Sequence, residues 1–489
     1  MPNHFASSLK IAVISLNGGQ MPVTSEVRDF LHVDPPVIPG NRTAVSLFSG
    51  AGLSDMGYEL AGFHFQINVE LNVQRCQVGQ PNFPGSTWIN GDVRDVTDII
   101  VQVYQKKTRR PLDLLTVTPP CQGMSSSNPS RGRRHSPQAE LHEERNKLLL
   151  AAVPVAQSLN PKIIVAENVR QILTLQIWEG DQRKLLVDVF KKRLPNYAVF
   201  TGVIQAADYG IPQNRRRGLI VAIRRDQPWL DALIDRGLLP WPVPTHAENP
   251  ESNRKSWISL KDWFDSMNYE PLDGSSPRTS RGTDPLHYVP HYDDDRYLWI
   301  RDIPPYSGRN AYQNSRCPSC GHDPVPEGLA YCNACGGIMR NRPYVLDKET
   351  AKVRLVKGFA SSYRRMNAYG PAPTITTNSS SIGSDFKIHP WENRVLSIRE
   401  CADLQTVPRF FDWSWALTTG HPYTIRQVVG EALPTYFTYL HGKVLARLLI
   451  GEPPHESWLA RADNRRLREM PTEHIDILGD HCEAIEPCM

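Results

Sequence analysis

The amino-acid sequence predicts an α/β protein in which a sheet domain is followed by a smaller, irregular domain. From Thr43 onward, short apolar stretches alternate with amphipathic helical stretches, which is typical of a parallel sheet covered by helices. Between residues 241 and 390 the alternation stops, and Pro, Ser, Tyr and Trp become frequent. Helical spacing of apolar residues then returns between Leu433 and Leu448, which predicts a long helix that packs back onto the first domain.

Each predicted strand is a short apolar run bounded by polar or turn-forming residues. In chain order, the strands are predicted at 44–48, 64–69, 86–90, 112–117, 162–166, 197–204 and 218–223. The first helix is predicted at 53–61, where four residues share one face: Leu53, Met56, Gly57 and Leu60. The last helix follows from apolar residues spaced by four and three, although Pro434 lies near its start: Leu433, Phe437, Leu440, Val444 and Leu448.

These patterns divide the 489 residues into segments, and a chain of this length that is 40% hydrophobic is expected to form two or three domains. We predict, in order, an N-terminal extension and linker (1–42), the sheet domain (43–240), the irregular domain (241–420), a returning helix (421–450) and a C-terminal tail (451–489).

Composition excludes several classes of protein. No apolar run approaches the roughly 18–20 residues of a membrane span, so no membrane partner is expected. Nine cysteines without an N-terminal apolar signal segment favour a reducing, cytoplasmic location over a disulfide framework. The net charge of +4 does not by itself indicate nucleic acid, but two arginine clusters suit a polyanionic substrate: Arg131, Arg133 and Arg134, and then Arg215, Arg216 and Arg217.

A cysteine follows the fourth predicted strand after two prolines. The strand ends against Pro119 and Pro120, and because proline fixes φ and lacks a backbone donor, Cys121 is held in a defined place. A thiolate is both a strong nucleophile and a workable leaving group near neutral pH. A lone cysteine is more often a small core residue. Here other segments supply the remaining groups that such chemistry needs, so we predict a catalytic thiol.

Glycines and acids follow the first three predicted strands. Gly50 and Gly52 lie between the first strand and the first helix, where glycine lets the backbone approach a ligand closely. Glu70 ends the second strand about twenty residues on, the position from which a carboxylate reaches a ribose diol. Asp92 ends the third strand and is placed to accept a hydrogen bond from an adenine amino group.

The ligand at this edge is expected to be a nucleoside without a pyrophosphate. A dinucleotide site would need a third glycine near position 55, which is Asp55. S-adenosylmethionine is the obvious candidate, with Leu71 and Val93 on either side of its adenine ring.

An acid and an amide end the fifth predicted strand. Glu167 and Asn168 follow the buried run 162–166, and a carboxylate at the carboxyl end of such a strand lies over the crevice of an α/β fold. Further on, the segment Asp208–Arg217 places a turn and arginines just before the last predicted strand.

Six segments in this order resemble the DNA cytosine-5 methyltransferase family, and together they span nearly everything from residue 43 to 450. They are Leu47–Gly52, Pro119–Gln122, Glu167–Val169, Gly210–Arg217, Arg399–Gln405 and Gln427–Pro434. The resemblance implies a Rossmann-like, S-adenosylmethionine-dependent catalytic domain and a target-recognition domain at 241–420. It also implies that the chain methylates C5 of cytosine in double-stranded DNA.

The resemblance assigns roles to the residues of the reaction site. Cys121 would attack cytosine C6, Glu167 would stabilise the charge that this attack pushes toward N3, and Arg217 would hold O2. Arg215 would orient Glu167 or hold a phosphate. Asn168 would brace the Cys121 loop through backbone contacts.

Other segments would serve the DNA and the cofactor. A base inside a duplex is out of reach, so the cytosine must flip out, and the segment from Gln122 to about His142 would close over the DNA. The implied cofactor contacts are Phe48, Gly50, Gly52, Glu70, Leu71, Asp92, Val93 and Glu431. Two residues depart from the family, since Ser46 stands in place of the usual acid and Glu431 in place of the common asparagine, and either change can weaken a cofactor contact.

Four cysteines inside the irregular domain have the spacing of a metal site. Cys317, Cys320, Cys332 and Cys335 form two Cys-x-x-Cys pairs, each followed by glycine, which presents four thiolates to a tetrahedral Zn²⁺. Four protein ligands leave no open position, so the predicted zinc is structural and stabilises a zinc-ribbon-like insert at 317–337. Charged and aromatic residues interleave around it: Arg340, Arg342, Tyr363, Arg364, Arg365 and Tyr369. The run Pro373–Thr377 resembles the core of the family's recognition domain.

Three alternatives remain open at this point. A tRNA-directed cytosine methyltransferase would share the same motifs, although the enlarged region 241–390 favours a DNA enzyme. A non-catalytic, zinc-containing DNA-binding protein would not need Cys121, Glu167 and Arg217. A Rossmann oxidoreductase would need the missing third glycine.

The biological role is expected from the simple organisation of the chain. One catalytic domain without chromatin-reading modules is typical of a prokaryotic restriction-modification or related defence enzyme that protects self DNA, acting as a monomer beside a companion nuclease. A solitary methyltransferase is the alternative. The target DNA sequence is not readable from the chain.

Overall fold

The computed structural model describes most of the chain, namely residues 25–36, 41–120, 144–250, 253–347, 349–350, 352–358, 361–419 and 422–462. Four predictions lie wholly or partly outside these residues. They concern Cys121, the segment 122–142 with its arginine cluster, most of the N-terminal extension and the end of the C-terminal tail.

The described strands agree with the predicted ones within about three residues and add several short pairs. In chain order they are β1 (Arg42–Leu47), β2 (Phe63–Glu70), β3 (Thr87–Asn90), β4 (Leu114–Val117), β5 (Ile163–Asn168), β6 (Gln176–Glu179), β7 (Gln182–Leu185), β8 (Tyr197–Gln205), β9 (Arg216–Arg224), β10 (Leu238–Pro242), β11 (His246–Ala247), β12 (Lys255–Ser256), β13 (Tyr344–Leu346), β14 (Val353–Leu355) and β15 (Leu459–Arg461).

Helices follow most of the sheet strands, as the alternating pattern predicts. In chain order they are α1 (Ser25–Leu31), α2 (Leu53–Leu60), α3 (Val73–Gly79), α4 (Thr97–Lys107), α5 (Ala152–Leu159), α6 (Leu186–Arg193), α7 (Leu230–Asp235), α8 (Leu260–Met267), α9 (Asp294–Arg301), α10 (Ile398–Leu404), α11 (Ser414–Thr418), α12 (Pro422–Glu431) and α13 (Thr435–Leu449). Pro434 is the N-cap of α13, where its missing backbone donor costs nothing. None of these described helices is long and apolar enough to span a bilayer.

One seven-stranded sheet carries the fold, in the order β3-β2-β1-β4-β5-β9-β8. The first five strands pair in parallel, but β9 runs antiparallel to both β5 and β8. The sheet that the sequence predicts as parallel is therefore mostly parallel, with β9 as the exception. The reason is the short connection between β8 and β9, which is long enough for an antiparallel return but not for a helical crossover.

Alternation along each strand divides the core into two layers. In β5, Ile163 and Val165 point into the cluster that α2 and α13 cover, whereas Ile164 and Ala166 point into the cluster covered by α4, α5 and α6. The two helices of the first layer cross closely at Gly57, where an added Cβ would lie 2.1 Å from Thr438 Oγ1.

Parts of the N-terminal extension and of the C-terminal tail contribute to this core. The ring of Phe30, in α1, lies 5.0 Å from that of Tyr436, and Leu31 is fully buried. In the tail, β15 pairs with β10, and Leu459 and Ala460 are buried. Their apolar residues are too few to be recognised by periodicity alone.

The irregular domain has its own small core and is held by buried arginines. A cluster that includes Trp299, Ile300 and Ile388 packs under α9. Arg365 is fully buried beside it and donates to the backbone carbonyls of Ile300, Ile303 and His389. Arg342 is also fully buried and donates to the carbonyls of Asn314, Val325, Pro326 and Leu329. Buried donors that bind several carbonyls are structural, so these two arginines stabilise the irregular domain.

A buried carboxyl makes the stability of the sheet domain depend on pH. Asp55 accepts from Thr116 Oγ1 at 3.0 Å and from Asn68 Nδ2 at 3.2 Å, and burial raises its pKa from 3.8 to about 7. The protonated form is therefore favoured in the fold, and its contribution to the unfolding free energy is lost as the pH rises from about 4 through about 7.

We expect the unfolding free energy to decrease by about 2 kcal/mol from this group between pH 5 and pH 7.5. Urea unfolding at both pH values measures this contribution when the wild type is compared with Asp55→Asn, which cannot ionise. The unfolding free energy of the wild type should fall more between the two pH values than that of the variant. An equal fall in the two proteins would contradict the assignment.

Candidate active site

A large cleft opens where the parallel strands end. Its volume is about 1940 Å³, and it is lined by residues that follow β1, β2, β4 and β5, with Pro373–Thr377 and the end of α12 on the opposite wall. Carboxyl ends of strands are the usual binding edge of α/β sheets. Because small-molecule sites generally occupy roughly 300–1,000 Å³, the cleft has room for two ligands side by side.

Glu167 and Arg217 face each other at one end of the cleft. The antiparallel register of β5 and β9 sets Glu167 opposite Leu219, and Arg217 Nε lies 2.9 Å from Glu167 Oε1. Burial raises the pKa of Glu167 despite the opposing effects of Arg217 and Arg215. Among the described residues, Glu167 Oε1 has no hydrogen bond of good geometry although the ion pair is close. The carboxyl is thus a buried acid held against Arg217 at the end of β5.

Asn168 fixes the backbone that leads to the predicted nucleophile. Its Nδ2 donates to the Pro119 carbonyl at 2.8 Å, and its Oδ1 accepts from the Val169 amide at 2.8 Å. Thr118 Oγ1 donates to the Phe48 carbonyl at 2.9 Å and ties the same segment to the end of β1. Cys121, which follows Pro120 by one peptide bond, is outside the described residues. The backbone contact predicted for Asn168 is present up to Pro119.

The turn after β1 approaches the cleft through residues with positive φ. Phe48, Gly50 and Gly52 have φ of 60°, 56° and 79°. A Cβ on Gly52 would lie 2.4 Å from the ring of Phe83, so packing requires glycine there. A Cβ on Gly50 would meet no atom within 4 Å, so this backbone faces open space.

Glu70 is oriented by two backbone amides. Its Oε2 accepts from the Gly50 amide at 2.9 Å and its Oε1 from the Asn72 amide at 2.7 Å. Burial is the main reason that its pKa is raised. Each oxygen keeps a second lone pair, which suits the predicted ribose contact. Leu71 is 67% exposed and Val93 is buried, and both line the cleft.

Both carboxylate oxygens of Asp92 already accept hydrogen bonds from Arg94, which the sequence did not indicate. Asp92 lies two residues beyond β3, and Arg94 binds both of its oxygens, at 3.0 Å through Nε and at 2.7 Å through Nη2. The hydrogen bond from Arg94 is the main cause of its lowered pKa. An adenine amino group would have to share this carboxylate with Arg94.

Arg215 joins the sheet to the opposite wall of the cleft. It is fully buried, and its guanidinium donates to the carbonyls of Ile375 and Gly430, both at 2.9 Å. The alternative in which Arg215 holds a phosphate is wrong, because DNA cannot reach a fully buried side chain. A run of three arginines carries no signal that separates the buried one from its exposed neighbour Arg216.

The opposite wall contributes residues that sequence analysis did not identify. Lys387 is buried and donates to the Thr374 carbonyl at 3.2 Å, and burial lowers its pKa to about 8. Thr376 Oγ1 has no partner among the described residues and borders the cleft. Gly430 packs so tightly here that a Cβ would lie 2.3 Å from the Thr376 carbonyl carbon. Only the run Pro373–Thr377 had a sequence signal.

Glu431, the departure at the end of α12, has a partner across the cleft. Arg75 donates to it through Nε at 2.8 Å and also through Nη2. Arg75 belongs to α3, which begins where the Asn72 side chain accepts from the Gln74 and Arg75 amides. No motif in the sequence pointed to Arg75.

The four predicted metal ligands converge, apart from this cleft, in the irregular domain. Their sulfur atoms lie within 4.8 Å of one another, with Cys317 and Cys335 3.8 Å apart and Cys320 and Cys332 3.9 Å apart. Zn–S bonds of about 2.3 Å place tetrahedral sulfur atoms about 3.8 Å apart, whereas a disulfide needs about 2.05 Å. Gly321 and Gly336 have φ of 77° and 70°, which allows a matching turn after each pair. The four thiols therefore fit a zinc ion.

The fold and the cleft together define a Rossmann-like α/β enzyme, and comparison with known proteins gives its family. The sequence model of the C-5 cytosine-specific DNA methylase family matches residues 43–445. The chain belongs to this family and is an enzyme of this class.

Several curated relatives match over most of their length. The Type II methyltransferase M1.HphI of Haemophilus parahaemolyticus is 32% identical over 395 residues, which are 80% of this chain and 83% of that protein. The Type II methyltransferase M1.HgaI of Avibacterium volantium is 26% identical over 411 residues, 81% of this chain and 95% of that protein. The Type II methyltransferase M.XorII of Xanthomonas oryzae pv. oryzae is 25% identical over 447 residues, 89% of this chain and 92% of that protein.

The buried position of Arg215 leads to a stability prediction with a matched control. Arg215→Met removes a charged donor from carbonyls that have no water to replace it, so we expect the unfolding free energy to decrease by about 3 kcal/mol. Arg216→Met, at the exposed neighbouring position, should change it by less than about 0.5 kcal/mol. Urea unfolding measures both variants. Equal stability of the two would show that Arg215 does not hold the walls together.

Proposed function

We propose that this protein transfers a methyl group from S-adenosylmethionine to C5 of a flipped-out cytosine in a specific duplex DNA sequence. The observation that carries the proposal is the arrangement within one cleft. The buried Glu167–Arg217 pair and the Asn168–Pro119 hydrogen bond lie at the end of β5, and the Gly50–Glu70 edge lies at the ends of β1 and β2. A nucleoside-type cofactor and a base can therefore lie side by side.

The residues of this edge fit the cofactor. The open space above Gly50 leaves room for a ligand against the backbone, and Glu70 presents oriented lone pairs to a ribose. S-adenosylmethionine supplies an electrophilic methyl group on a sulfonium. Phe48, Leu71 and Val93 would hold the adenosine part.

The residues proposed for the reaction site would activate C5 of cytosine as a nucleophile. Cytosine C5 is a poor nucleophile until the Cys121 thiolate adds to C6, which pushes an electron pair toward N3 and C5. Glu167, whose pKa is raised by burial, would donate its proton to N3 as this charge develops, and Arg217 would hold O2. After C5 takes the methyl group, loss of its proton to a base lets the thiolate leave and restores the ring. Asn168 would keep Cys121 aligned through Pro119.

The covalent step gives the most specific test of the proposed function. Duplex DNA in which 5-fluorocytosine replaces cytosine should trap the protein, since fluorine cannot leave C5 as a proton does. We expect a covalent complex with the wild type and with Cys401→Ala, a buried cysteine that does not line the cleft, and none with Cys121→Ala. Glu167→Gln should slow methyl transfer by about a hundredfold or more.

Methyl transfer by Cys121→Ala at the wild-type rate would refute the covalent mechanism. Transfer to tRNA with no transfer to duplex DNA would favour the tRNA alternative over the DNA enzyme.

We also propose that methylation protects self DNA in a restriction-modification or related defence system. The support is the match with relatives named Type II methyltransferases over most of their length. A companion nuclease would then recognise the same sequence, and DNA from cells that express this protein would resist it.

The zinc-ribbon-like insert is proposed to support recognition of DNA and to take no part in methyl transfer. The insert has its own small core, formed by Cys317, Val325, Cys332 and Met339. A segment of this size depends on a metal for its shape, and a closed tetrahedral site contributes folding free energy.

Replacing Cys332 with Ser tests the insert. We expect the purified wild type and Cys401→Ala to contain about one zinc per chain and Cys332→Ser to contain none. In Cys332→Ser, amide exchange should increase around residues 310–345 and binding of specific DNA should weaken, while S-adenosylmethionine still binds. A well-folded, active wild type without zinc would reject the site. Loss of cofactor binding in Cys332→Ser, with the sheet domain folded, would contradict a role limited to recognition.

A further inference from the structure

The ion pair between Arg75 and Glu431 lies in the wall of the cleft and leaves one edge of the guanidinium free. Glu431 engages the Nε–Nη2 edge. Among the described residues, Nη1 of Arg75 has no hydrogen-bond acceptor, and both side chains line the cleft. A guanidinium carries five donors in a rigid fork, so a second carboxylate can bind through the Nη1–Nη2 edge.

The order of the strands indicates which part of a cofactor would meet this pair. Asp92 follows β3, the edge strand of the sheet, and Glu70 ends β2, the next strand inward. With adenine near Asp92 and ribose near Glu70, the rest of the cofactor must extend past Glu70. Arg75 is close enough for its charge to lower the pKa of Glu70. The Leu433 amide donates to Ser54 Oγ at 3.0 Å, so the turn after Glu431 closes this end of the cleft.

A carboxylate can bind at this end only beside a cation. Two carboxylates border it, those of Glu70 and Glu431, and they would repel an incoming carboxylate. Among the described cations that line the cleft, Arg94 has its Nε and Nη2 on Asp92 at the adenine end. Arg75 is the cation next to Glu70, and the backbone of Glu431 is fixed because its carbonyl accepts from the buried Arg215 at 3.2 Å. Glu431 therefore holds Arg75 in place from an anchored position.

We propose that Arg75 binds the carboxylate of the amino-acid end of S-adenosylmethionine through its Nη1–Nη2 edge, and that Glu431 positions Arg75 for this contact. This inference rests on the proposed function and deepens it, since it adds a specificity-determining residue to the cofactor site. It also gives Glu431 a role that the asparagine common in the family does not have.

The test compares two ligands that differ by the carboxylate alone. S-adenosylhomocysteine and its decarboxylated analogue, which ends in a propylamine, are titrated into the full-length protein by calorimetry. The wild type should bind S-adenosylhomocysteine about tenfold or more tighter than the analogue, since a bidentate, charge-assisted contact is lost. In Arg75→Met this preference should fall below about threefold, with little change in affinity for the analogue.

Arg94→Met is the matched control, because Arg94 forms a similar bidentate pair at the adenine end. It should change the affinities for both ligands alike and keep the preference. A double variant tests the role of Glu431. In the Arg75→Met background the Glu431 carboxylate is unpaired and repels the ligand carboxylate, so Arg75→Met/Glu431→Gln should bind S-adenosylhomocysteine several-fold tighter than Arg75→Met.

The outcomes separate this inference from the proposed function. A full carboxylate preference in Arg75→Met, or an equal loss of both ligands, would overturn the Arg75 contact while S-adenosylmethionine binding stands. No gain in the double variant would overturn the role of Glu431. A wild type that binds neither ligand would instead overturn the proposed function.

Discussion

The cleft depends on one buried guanidinium more than on any other group. Arg215 directly precedes the antiparallel strand β9. Its guanidinium donates to the carbonyl of Ile375, in the opposite wall of the cleft, and to that of Gly430, in α12. A buried charge is costly unless its donors are satisfied, so the three segments are held in one arrangement. The close approach of Gly430 to Thr376 adds a steric constraint at the same point. Residues far apart in the sequence therefore form a single site.

Burial also organises the acids around the sheet edge. Asp55 lies below the edge and is kept by hydrogen bonds to neighbouring strands, so its raised pKa affects stability. Glu167 lies at the edge, where burial raises its pKa while the arginines keep it oriented toward the cleft. Glu70 is partly buried, and backbone amides hold both of its oxygens. Similar carboxyls thus lie in the core, at the end of β5 and at the end of β2, and each is held by different partners.

Much of the sheet could be predicted from the sequence, because its strands are apolar runs separated by turns, and the predicted bounds agree with the structure within a few residues. The antiparallel direction of β9 was missed, since apolar pattern does not encode strand direction. Glu167 and Asn168 could be placed at the cleft because they directly follow a buried run. Arg215, Arg342 and Arg365 could not be recognised as buried, because an arginine that collects carbonyls has the same local sequence as one that faces solvent. Arg75 became visible only through its contact with Glu431.

Bisulfite sequencing of cellular DNA directly tests the proposal that this protein methylates C5 of cytosine in duplex DNA. DNA is isolated from bacterial cells that express the wild type and, separately, the Cys121→Ala variant, and is read for cytosines that resist conversion. We expect protected cytosines at one recurring sequence in cells with the wild type and none above background with Cys121→Ala. Complete conversion of DNA from cells that contain folded wild-type protein, or the same protected sites with the variant, would contradict it.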